Sequence, residues 1–186
     1  MSTAAEHARS YYAATATRRT DCPRLQGAAS CDVAVVGAGY TGLSAAIALA
    51  ERGYQVIVIE ANRVGWGASG RNGGQLIDGF VELGKIERRL GLNAREIAYR
   101  MGLECRDLVL ERIERYAIDC DLKFGFLELA IKRAELERFR EEIEQKRRLG
   151  YPHELRLVGR EEMPVLIGSS RYIGGLVSMA NGHLHP

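Results

Sequence analysis

The motif Gly37-Ala38-Gly39-Tyr40-Thr41-Gly42 is the most informative part of this sequence for its fold. It follows the short apolar run Asp32-Val33-Ala34-Val35-Val36, which is typical of a strand buried on both faces of a parallel sheet. From Tyr40 to Arg52 several alanines give strong helix propensity, and Gly53 supplies a helix stop. Gln55 to Glu60, which reads QVIVIE, predicts a second buried strand. This order of strand, helix and strand predicts a βαβ unit with a right-handed crossover.

The spacing of the three glycines in this stretch predicts a dinucleotide site. Gly37 permits a tight turn, Gly39 lets the backbone approach a pyrophosphate, and Gly42 lets the helix pack closely on the strand. Unpaired N–H groups at the helix N-terminus favour an anion there. Glu60 lies 18 residues after Gly42, near the spacing of an acid that binds a ribose. This pattern alone does not separate FAD from NAD, and a glycine-rich turn without a ligand is the remaining alternative.

A second glycine-rich segment lies between Gly65 and Gly74 and contains five glycines. Its composition excludes a regular helix or a central strand. Successive backbone N–H groups in such a segment can wrap around phosphates and a flat ring. A flexible surface loop is the alternative, although Trp66, Arg71 and Asn72 are unusual residues for a linker.

The sequence from Gly37 to Gln75 resembles the FAD-binding opening of the D-amino acid oxidase-like family of flavoproteins. It reads GAGYTGLSAAIALAERGYQVIVIEANRVGWGASGRNGGQ. The segments SYYAATA near the start and GGLVSMANGHLHP at the end also resemble one amine-oxidising subgroup of that family. The resemblance implies an α/β fold, in which a Rossmann-like FAD-binding βαβ core is followed by the beginning of an α+β substrate domain.

The same resemblance implies which residues hold FAD. The first glycine motif would bind the diphosphate, Glu60 would hold the adenosine ribose, and Arg63 would lie close to the adenosine. Ser69 would contact a phosphate, and the residues from Arg71 to Gly73 would lie on the flavin side. The complete set of predicted cofactor-binding residues is Gly37, Ala38, Gly39, Tyr40, Thr41, Gly42, Glu60, Ala61, Arg63, Ala68, Ser69, Arg71, Asn72, Gly73, Gly74 and Gln75.

The implied reaction is oxidation of a C–N bond in an amine or an amino acid. In the family, a hydride passes from the carbon that bears a neutral amine to the flavin, and the imine hydrolyses to an aldehyde. Oxygen then reoxidises the flavin and gives hydrogen peroxide. Because an unprotonated amine needs no general base, no catalytic residue is predicted. The expected partners are therefore a small-molecule amine and oxygen. An NAD-dependent dehydrogenase domain and a non-catalytic, truncated flavin-binding remnant are the alternatives.

Composition points to no other class of partner. The net charge of +2 indicates neither nucleic acid nor a membrane surface. No 18 consecutive residues are apolar, so no membrane span is expected, and the first residues lack an apolar h-region, so we expect a cytoplasmic protein. His183 and His185 would face one side of a strand, as a structural pair or beside the flavin, and no metal is expected because no further ligands lie nearby.

The chain is expected to have three parts: an N-terminal arm over 1–30, an FAD-binding portion over 31–120, and a partial substrate domain over 121–186. The further predicted elements are a partly helical segment over 76–90, a helix over 93–116, a strand over 121–131, a helix over 134–149, a strand over 154–158, a turn ending near Pro164, and a strand over 172–178. Because the family's members are about twice as long, we expect a fragment that is unable to turn over alone.

Overall fold

The computed structural model describes residues 7–17, 22–79 and 83–186. These residues form two compact units. The first extends to Gly74 and also includes His185–Pro186, and the second extends from Gln75 to Leu184. These units are defined by how the chain packs. The boundary predicted at residue 120 separates an FAD-binding portion from a substrate domain, and this functional boundary stays a prediction.

The first unit is built on a parallel βαβ unit, as the sequence predicts. α1 (Tyr11–Thr15) precedes it and lies within the predicted N-terminal arm. β1 (Val33–Val36) pairs in parallel with β2 (Val56–Ile59), and α2 (Tyr40–Ala50) connects the two strands. Gly53 adopts a φ of 88°, which lets the chain leave the helix where the sequence predicts.

The expectation that these strands are buried on both faces is wrong for the described residues. Burial alternates along β1, and Val33 and Val35 are the partly buried residues. Val36 is 86% exposed on β1 and Ile59 is 40% exposed on β2. The sheet of this unit has two strands in the described part of the chain. One crossover helix covers only one face of such a sheet. Apolar residues of the strands that do not face this helix, such as Val36, therefore stay exposed in this unit.

The second unit contains a four-stranded antiparallel sheet, arranged around its longest strand. β3 (Gln75–Leu76), β4 (Lys123–Ala130) and β5 (Leu155–Gly159) all pair with β6 (Gly174–His183). β4 follows one edge of β6, while β5 and β3 pair with the beginning and the end of its other edge.

One helix of the second unit, α5 (Arg133–Arg148), packs against this sheet and buries its core. Phe139 is fully buried together with Ala130 and Leu176. Leu136 and Ile143 pack against these residues, so the helix predicted over 134–149 lies with one apolar face against the sheet. The helices are α3 (Leu83–Leu90), α4 (Leu92–Arg115), α5 (Arg133–Arg148) and α6 (Met163–Ile167).

The turn predicted to end near Pro164 is wrong. A 3-10 turn over Arg160–Glu162 leads directly into α6, and Pro164 lies in the first turn of that helix. Proline is tolerated there, because an N–H at this position has no partner within the helix and the fixed φ suits a helix start.

The two C-terminal histidines do not share a strand face, which corrects the expectation of a pair. β6 is longer than the predicted strand and ends at His183, whereas His185 belongs to the first unit. There the ring of His185 lies edge-on to Tyr12, with 5.1 Å between centroids. Its Nε2 lies 2.8 Å from the Thr15 Oγ1. His185 therefore ties the C-terminal residues to α1.

Candidate dinucleotide-binding site

The turn between β1 and α2 requires glycine at two positions. Gly37 adopts a φ of 99°, and its N–H donates to the Ile59 carbonyl oxygen over 2.7 Å. This φ lies in the region that glycine adopts without steric cost. A Cβ on Gly42 would lie 1.9 Å from the Gly37 carbonyl oxygen. The turn role predicted for Gly37 and the close-packing role predicted for Gly42 are therefore confirmed.

The N-terminus of α2 is capped by a residue from the second glycine-rich segment. Gly39 occupies the N-cap and has no side chain with which to accept an N–H. Instead, the Ser69 Oγ accepts the Tyr40 N–H over 3.0 Å. A Cβ on Gly39 would lie 3.0 Å from that Oγ, so glycine leaves the space that Ser69 uses. A hydroxyl that accepts one N–H still has its own O–H to donate, here beside a helix end that favours an anion.

Glu60 follows β2 and is held by backbone donors. Its Oε2 accepts the Ala38 N–H over 2.7 Å, and its Oε1 accepts the Asn62 N–H over 2.9 Å. These bonds, first the one from Ala38 and then the one from Asn62, hold the pKa of Glu60 below its ordinary value. The carboxylate is therefore charged at neutral pH, and each oxygen keeps a lone pair for a hydroxyl donor such as a ribose.

Asn72 holds the second glycine-rich segment in shape. Its Nδ2 donates to the Ser69 carbonyl oxygen over 2.9 Å, and lies 3.1 Å from the Tyr40 hydroxyl and 3.2 Å from the Ala68 carbonyl oxygen. Its Oδ1 accepts the Gly74 N–H over 2.7 Å. The segment is therefore folded against the start of α2 and is not an unstructured linker.

Arg71 and Trp66, the other unusual residues of this segment, contact each other. The guanidinium carbon of Arg71 lies 5.0 Å from the centroid of the Trp66 ring, which is cation–π distance. The Arg71 Nε donates to the Gly67 carbonyl oxygen over 3.2 Å. Both interactions keep the guanidinium against its own segment.

The first unit brings together every predicted cofactor-binding residue except one. Gln75 lies in β3 of the second unit, opposite His183. Ala61 and Arg63 follow β2, and Thr41 lies in the first turn of α2. The predicted roles of these residues toward FAD stay predictions.

Sequence reasoning missed a buried polar cluster in the second unit. The Asp78 side chain is 1% exposed, and the Tyr151 hydroxyl donates to its carboxylate. The Lys146 Nζ lies 3.4 Å from the same carboxylate. The Asp78 N–H donates to the Asn181 Oδ1 over 3.1 Å. No motif signals this cluster, because Asp78 and Tyr151 are 73 residues apart in the chain.

Burial and negative charge raise the pKa values of two tyrosines, Tyr151 in this polar cluster and Tyr99 near Asp78. Burial, assisted by the Asp78 charge, raises the pKa of Tyr99 to about 12. Burial and the hydrogen bond to Asp78 also raise the pKa of Tyr151. A cavity of about 500 Å³ is lined by Asp78 and Tyr99 together with Glu128, Lys146 and Asn181. The buried Asp78 charge therefore borders a cavity that further charged side chains also line.

Arg106 was also missed, and it fills a gap in the sheet. Its Nε and Nη2 donate to the Ala180 carbonyl oxygen over 2.9 and 2.7 Å. Ala180 lies in β6 between the part that pairs with β5 and the part that pairs with β3. The guanidinium thus satisfies a backbone acceptor that neither strand reaches.

Two further properties concern only the described part of the chain. Its histidine, cysteine, aspartate and glutamate residues form no group of three or more that could hold a metal ion. Within those same ranges, none of the helices has both the length and the apolar character needed to cross a membrane.

A parallel βαβ unit with glycines at the helix start and an acid after the second strand defines a dinucleotide-binding protein of the Rossmann-like class. The family model for the FAD dependent oxidoreductases, DAO, matches residues 32–186. This chain belongs to that family, and its cofactor is FAD. The alternative of an NAD-dependent dehydrogenase domain is therefore wrong.

Curated relatives match nearly the whole chain. It is 41% identical over 182 residues to gamma-glutamylputrescine oxidoreductase of Escherichia coli (strain K12), which covers 97% of this chain and 42% of that protein. It is 42% identical over 183 residues to the probable oxidoreductase OrdL of Haemophilus influenzae, with the same two coverages. The chain thus spans less than half the length of these relatives.

Solved structures confirm the fold class. L-amino acid deaminase from Proteus myxofaciens, in complex with anthranilate, matches with a TM-score of 0.71 and 22% identity, over 91% of this chain and 37% of that one. Glycine oxidase from Bacillus cereus matches with a TM-score of 0.60 and 22% identity, over 84% of this chain and 40% of that one. At this identity the likeness shows the fold alone.

The first unit fits the ADP portion of FAD. A side chain at Gly39 would enter the space beside the N-terminus of α2, where the Ser69 hydroxyl lies. Glu60 is charged and keeps acceptor capacity for ribose hydroxyls. These features match an anionic diphosphate next to a ribose.

Proposed function

We propose that this chain forms the FAD-binding portion of an oxidoreductase that oxidises the C–N bond of an amine or amino acid. The proposed substrate resembles gamma-glutamylputrescine, and oxygen is the proposed electron acceptor. The observation that carries this proposal is the 41% identity to gamma-glutamylputrescine oxidoreductase over 97% of the chain. The small-amine partner, the cytoplasmic location and the partial substrate domain over 121–186 stay predictions that accompany it.

In this proposal, the residues of the chain bind and orient the cofactor. The N-terminus of α2 and the Ser69 hydroxyl would hold the pyrophosphate, and Glu60 would accept bonds from the adenosine ribose. The segment from Ala68 to Gly74 would extend from the pyrophosphate toward the isoalloxazine. When bound, FAD supplies the acceptor for the hydride that leaves the amine-bearing carbon.

The cofactor part of the proposal is tested by equilibrium dialysis of the purified chain against FAD and, separately, NAD. We expect measurable binding of FAD and much weaker binding of NAD. Gly39→Val should abolish FAD binding, because its side chain would displace Ser69 from the end of α2. Gly84→Ala, in α3 of the second unit, is the matched control and should leave FAD binding unchanged. Equal affinity of the folded wild type and the Gly39 variant would contradict the site.

The expected inactivity of this chain by itself is tested by peroxide release. We expect no peroxide from this chain with gamma-glutamylputrescine or other amines, because it spans 42% of the related oxidoreductase. The same result is expected for the alternative, a chain that binds flavin but has no turnover. Peroxide release that depends on FAD would contradict the expected inactivity and would directly identify the substrate.

A further inference from the structure

We propose that Asn72 is a positioning residue, which orders the second glycine-rich segment through Tyr40 and Gly74 and does not contact FAD with its own side chain. The inference rests on the proposed FAD site. It replaces the sequence-based hypothesis that Asn72 is a flavin-side contact, and it gives the exposed Tyr40 ring a role.

Both donors of the Asn72 amide, and one lone pair of its oxygen, are already used within the first unit. An amide side chain has two N–H donors and one acceptor oxygen. Three acceptors lie within 3.2 Å of the Asn72 Nδ2, on Ser69, Tyr40 and Ala68, so both donors have partners. The Oδ1 accepts the N–H of Gly74, a residue that is itself buried. No donor of this amide is left over for a ligand.

The bonds of Asn72 and Ser69 connect the two glycine segments in both directions. The Ser69 Oγ accepts the Tyr40 N–H, and the Ser69 carbonyl accepts from Asn72. Asn72 in turn lies within hydrogen-bond distance of the Tyr40 hydroxyl. Residues 32 positions apart in the chain are therefore joined by a closed set of hydrogen bonds around the N-terminus of α2.

At its other end, Asn72 fixes the exit of the segment. Gly74 adopts a φ of 62°, which is left-handed, and its N–H is held by the Asn72 Oδ1 two residues earlier. This is the turn that asparagine side chains stabilise by bonding their own backbone two residues on. Asn72 therefore determines both where the segment meets α2 and the direction in which it leaves.

The expected consequence is tighter cofactor binding, because a segment that is ordered in advance loses less conformational entropy when it binds. Asn72→Ala removes several hydrogen bonds of modest net strength, so FAD affinity should fall by about tenfold. ADP lacks the isoalloxazine, which is the end of FAD that the segment approaches in the proposed site. The affinity for ADP should therefore fall less than the affinity for FAD.

The test compares Asn72→Ala, Tyr40→Phe and the double variant in the 186-residue chain. Hydrogen–deuterium exchange at the Gly74 amide is measured without cofactor, and FAD and ADP affinities are measured by dialysis. We expect faster exchange at Gly74 in Asn72→Ala. We also expect Tyr40→Phe to cost less FAD affinity in the Asn72→Ala background than alone, because the two residues act together. Asn93→Ala in α4 is the matched control and should change none of these values.

Two results would overturn the inference. Loss of FAD affinity in Asn72→Ala, with Gly74 exchange unchanged and Tyr40→Phe strictly additive, would show that the amide contacts the cofactor directly. Unchanged exchange and unchanged affinity would show that Asn72 orders nothing. If the wild-type chain binds no FAD, both the proposed function and the role of Asn72 in FAD binding are contradicted. Exchange at Gly74 would then still show whether Asn72 holds the Gly74 N–H. If Asn72→Ala does not fold, Tyr40→Phe alone tests the contact between Asn72 and the Tyr40 hydroxyl. It removes only that hydroxyl and should by itself lower FAD affinity.

Discussion

In the first unit, side chains hold backbone N–H groups around the glycine motif. In the second unit, buried side chains bond to groups that lie far away in the chain. Around the glycine motif, the N–H groups of Ala38, Tyr40 and Gly74 are bonded by nearby side chains that solvent partly reaches. In the second unit, Asp78 and Arg106 are both 7% exposed and are bonded to groups far away in the chain.

This difference predicts different responses to mutation. The first unit does not tolerate an added Cβ where the chain approaches itself closely, and loss of a side chain there disorders the segment without leaving a buried charge unpaired. In the buried side-chain cluster of the second unit, removal of one member leaves charged or polar partners without compensation. Substitutions in the first unit should therefore change ligand affinity most, and substitutions in the second unit should change the free energy of unfolding most.

The largest effect on stability is expected from Asp78→Ala. It leaves the Tyr151 hydroxyl without its acceptor and Lys146 with Glu142, at 3.4 Å, as its remaining carboxylate. The free energy of unfolding should therefore fall by up to about 3–5 kcal/mol, the loss that follows when a buried pair is broken. Urea unfolding measures the loss. Glu137→Ala is the control, because it removes an exposed pair with Arg140 and should change the value by less than about 1 kcal/mol. Equal effects would contradict the contrast between the two kinds of pair.

A smaller and more selective effect is expected from two matched tyrosine substitutions. Tyr151→Phe removes the hydroxyl that donates to Asp78 and should cost about 1.5–3 kcal/mol. Tyr99→Phe should be nearly neutral, since the Tyr99 hydroxyl is buried and has no hydrogen-bond partner among the described residues. Thermal and urea unfolding at neutral pH separate these outcomes. A large loss in Tyr99→Phe would show that this hydroxyl has a partner.

The raised pKa values of Tyr99 and Tyr151 also predict that the chain loses stability at alkaline pH. Their pKa values are raised in the folded chain, to about 12 for Tyr99, so the neutral form is favoured there. The unfolded chain deprotonates first, and stability present below about pH 10 should be lost as the pH rises toward the folded pKa. The stability of Tyr99→Phe should depend less on pH above 10 than that of the wild type. An identical pH dependence would contradict the raised pKa.

Two glycines in helices of the second unit should respond with opposite sign to the same substitution. A Cβ on Gly102 would lie 2.6 Å from the Gly79 Cα, so Gly102→Ala should lower the free energy of unfolding by about 1–3 kcal/mol. A Cβ on Gly84 would meet only the Arg88 Nη1 at 3.5 Å, so Gly84→Ala should raise it by up to about 1 kcal/mol. Chemical denaturation of both variants provides the comparison, and effects of equal sign would contradict the close approach.

The same contrast explains which features the sequence could predict. The turn at Gly37, the close approach at Gly42 and the acid at Glu60 lie within one short stretch whose spacing follows from a local geometry. The contact of Asp78 with Tyr151 depends on how β3 and the end of α5 are brought together, and no spacing encodes it. The sequence predicts a turn at Pro164 because proline disrupts the interior of a helix, but proline is equally suited to the first turn of one.

Ser69 and Asn72 fall between these two cases. Their segment was predicted to serve the cofactor because of its composition, yet neither the cap on Tyr40 nor the bond to Gly74 could be derived from it. Those bonds require the segment to return to the start of α2, which is a tertiary event. Residue types therefore predicted the region of the site, while the direction of each side chain required the fold.

The smallest effect on stability is expected from Glu60→Gln, and it depends on pH. Because backbone N–H groups lower the pKa of Glu60 in the folded chain, its stabilisation is present above about pH 4 and is lost as the pH falls through the folded pKa. Glutamine can accept one of the two N–H bonds but presents an NH₂ group to the other. The variant should be less stable than the wild type at pH 7 by under about 1 kcal/mol, since solvent screens the charge. In urea unfolding the difference should shrink as the pH falls below about 4, toward and through the lowered folded pKa. A difference that stays constant with pH would show that the carboxylate charge is not what these backbone groups hold.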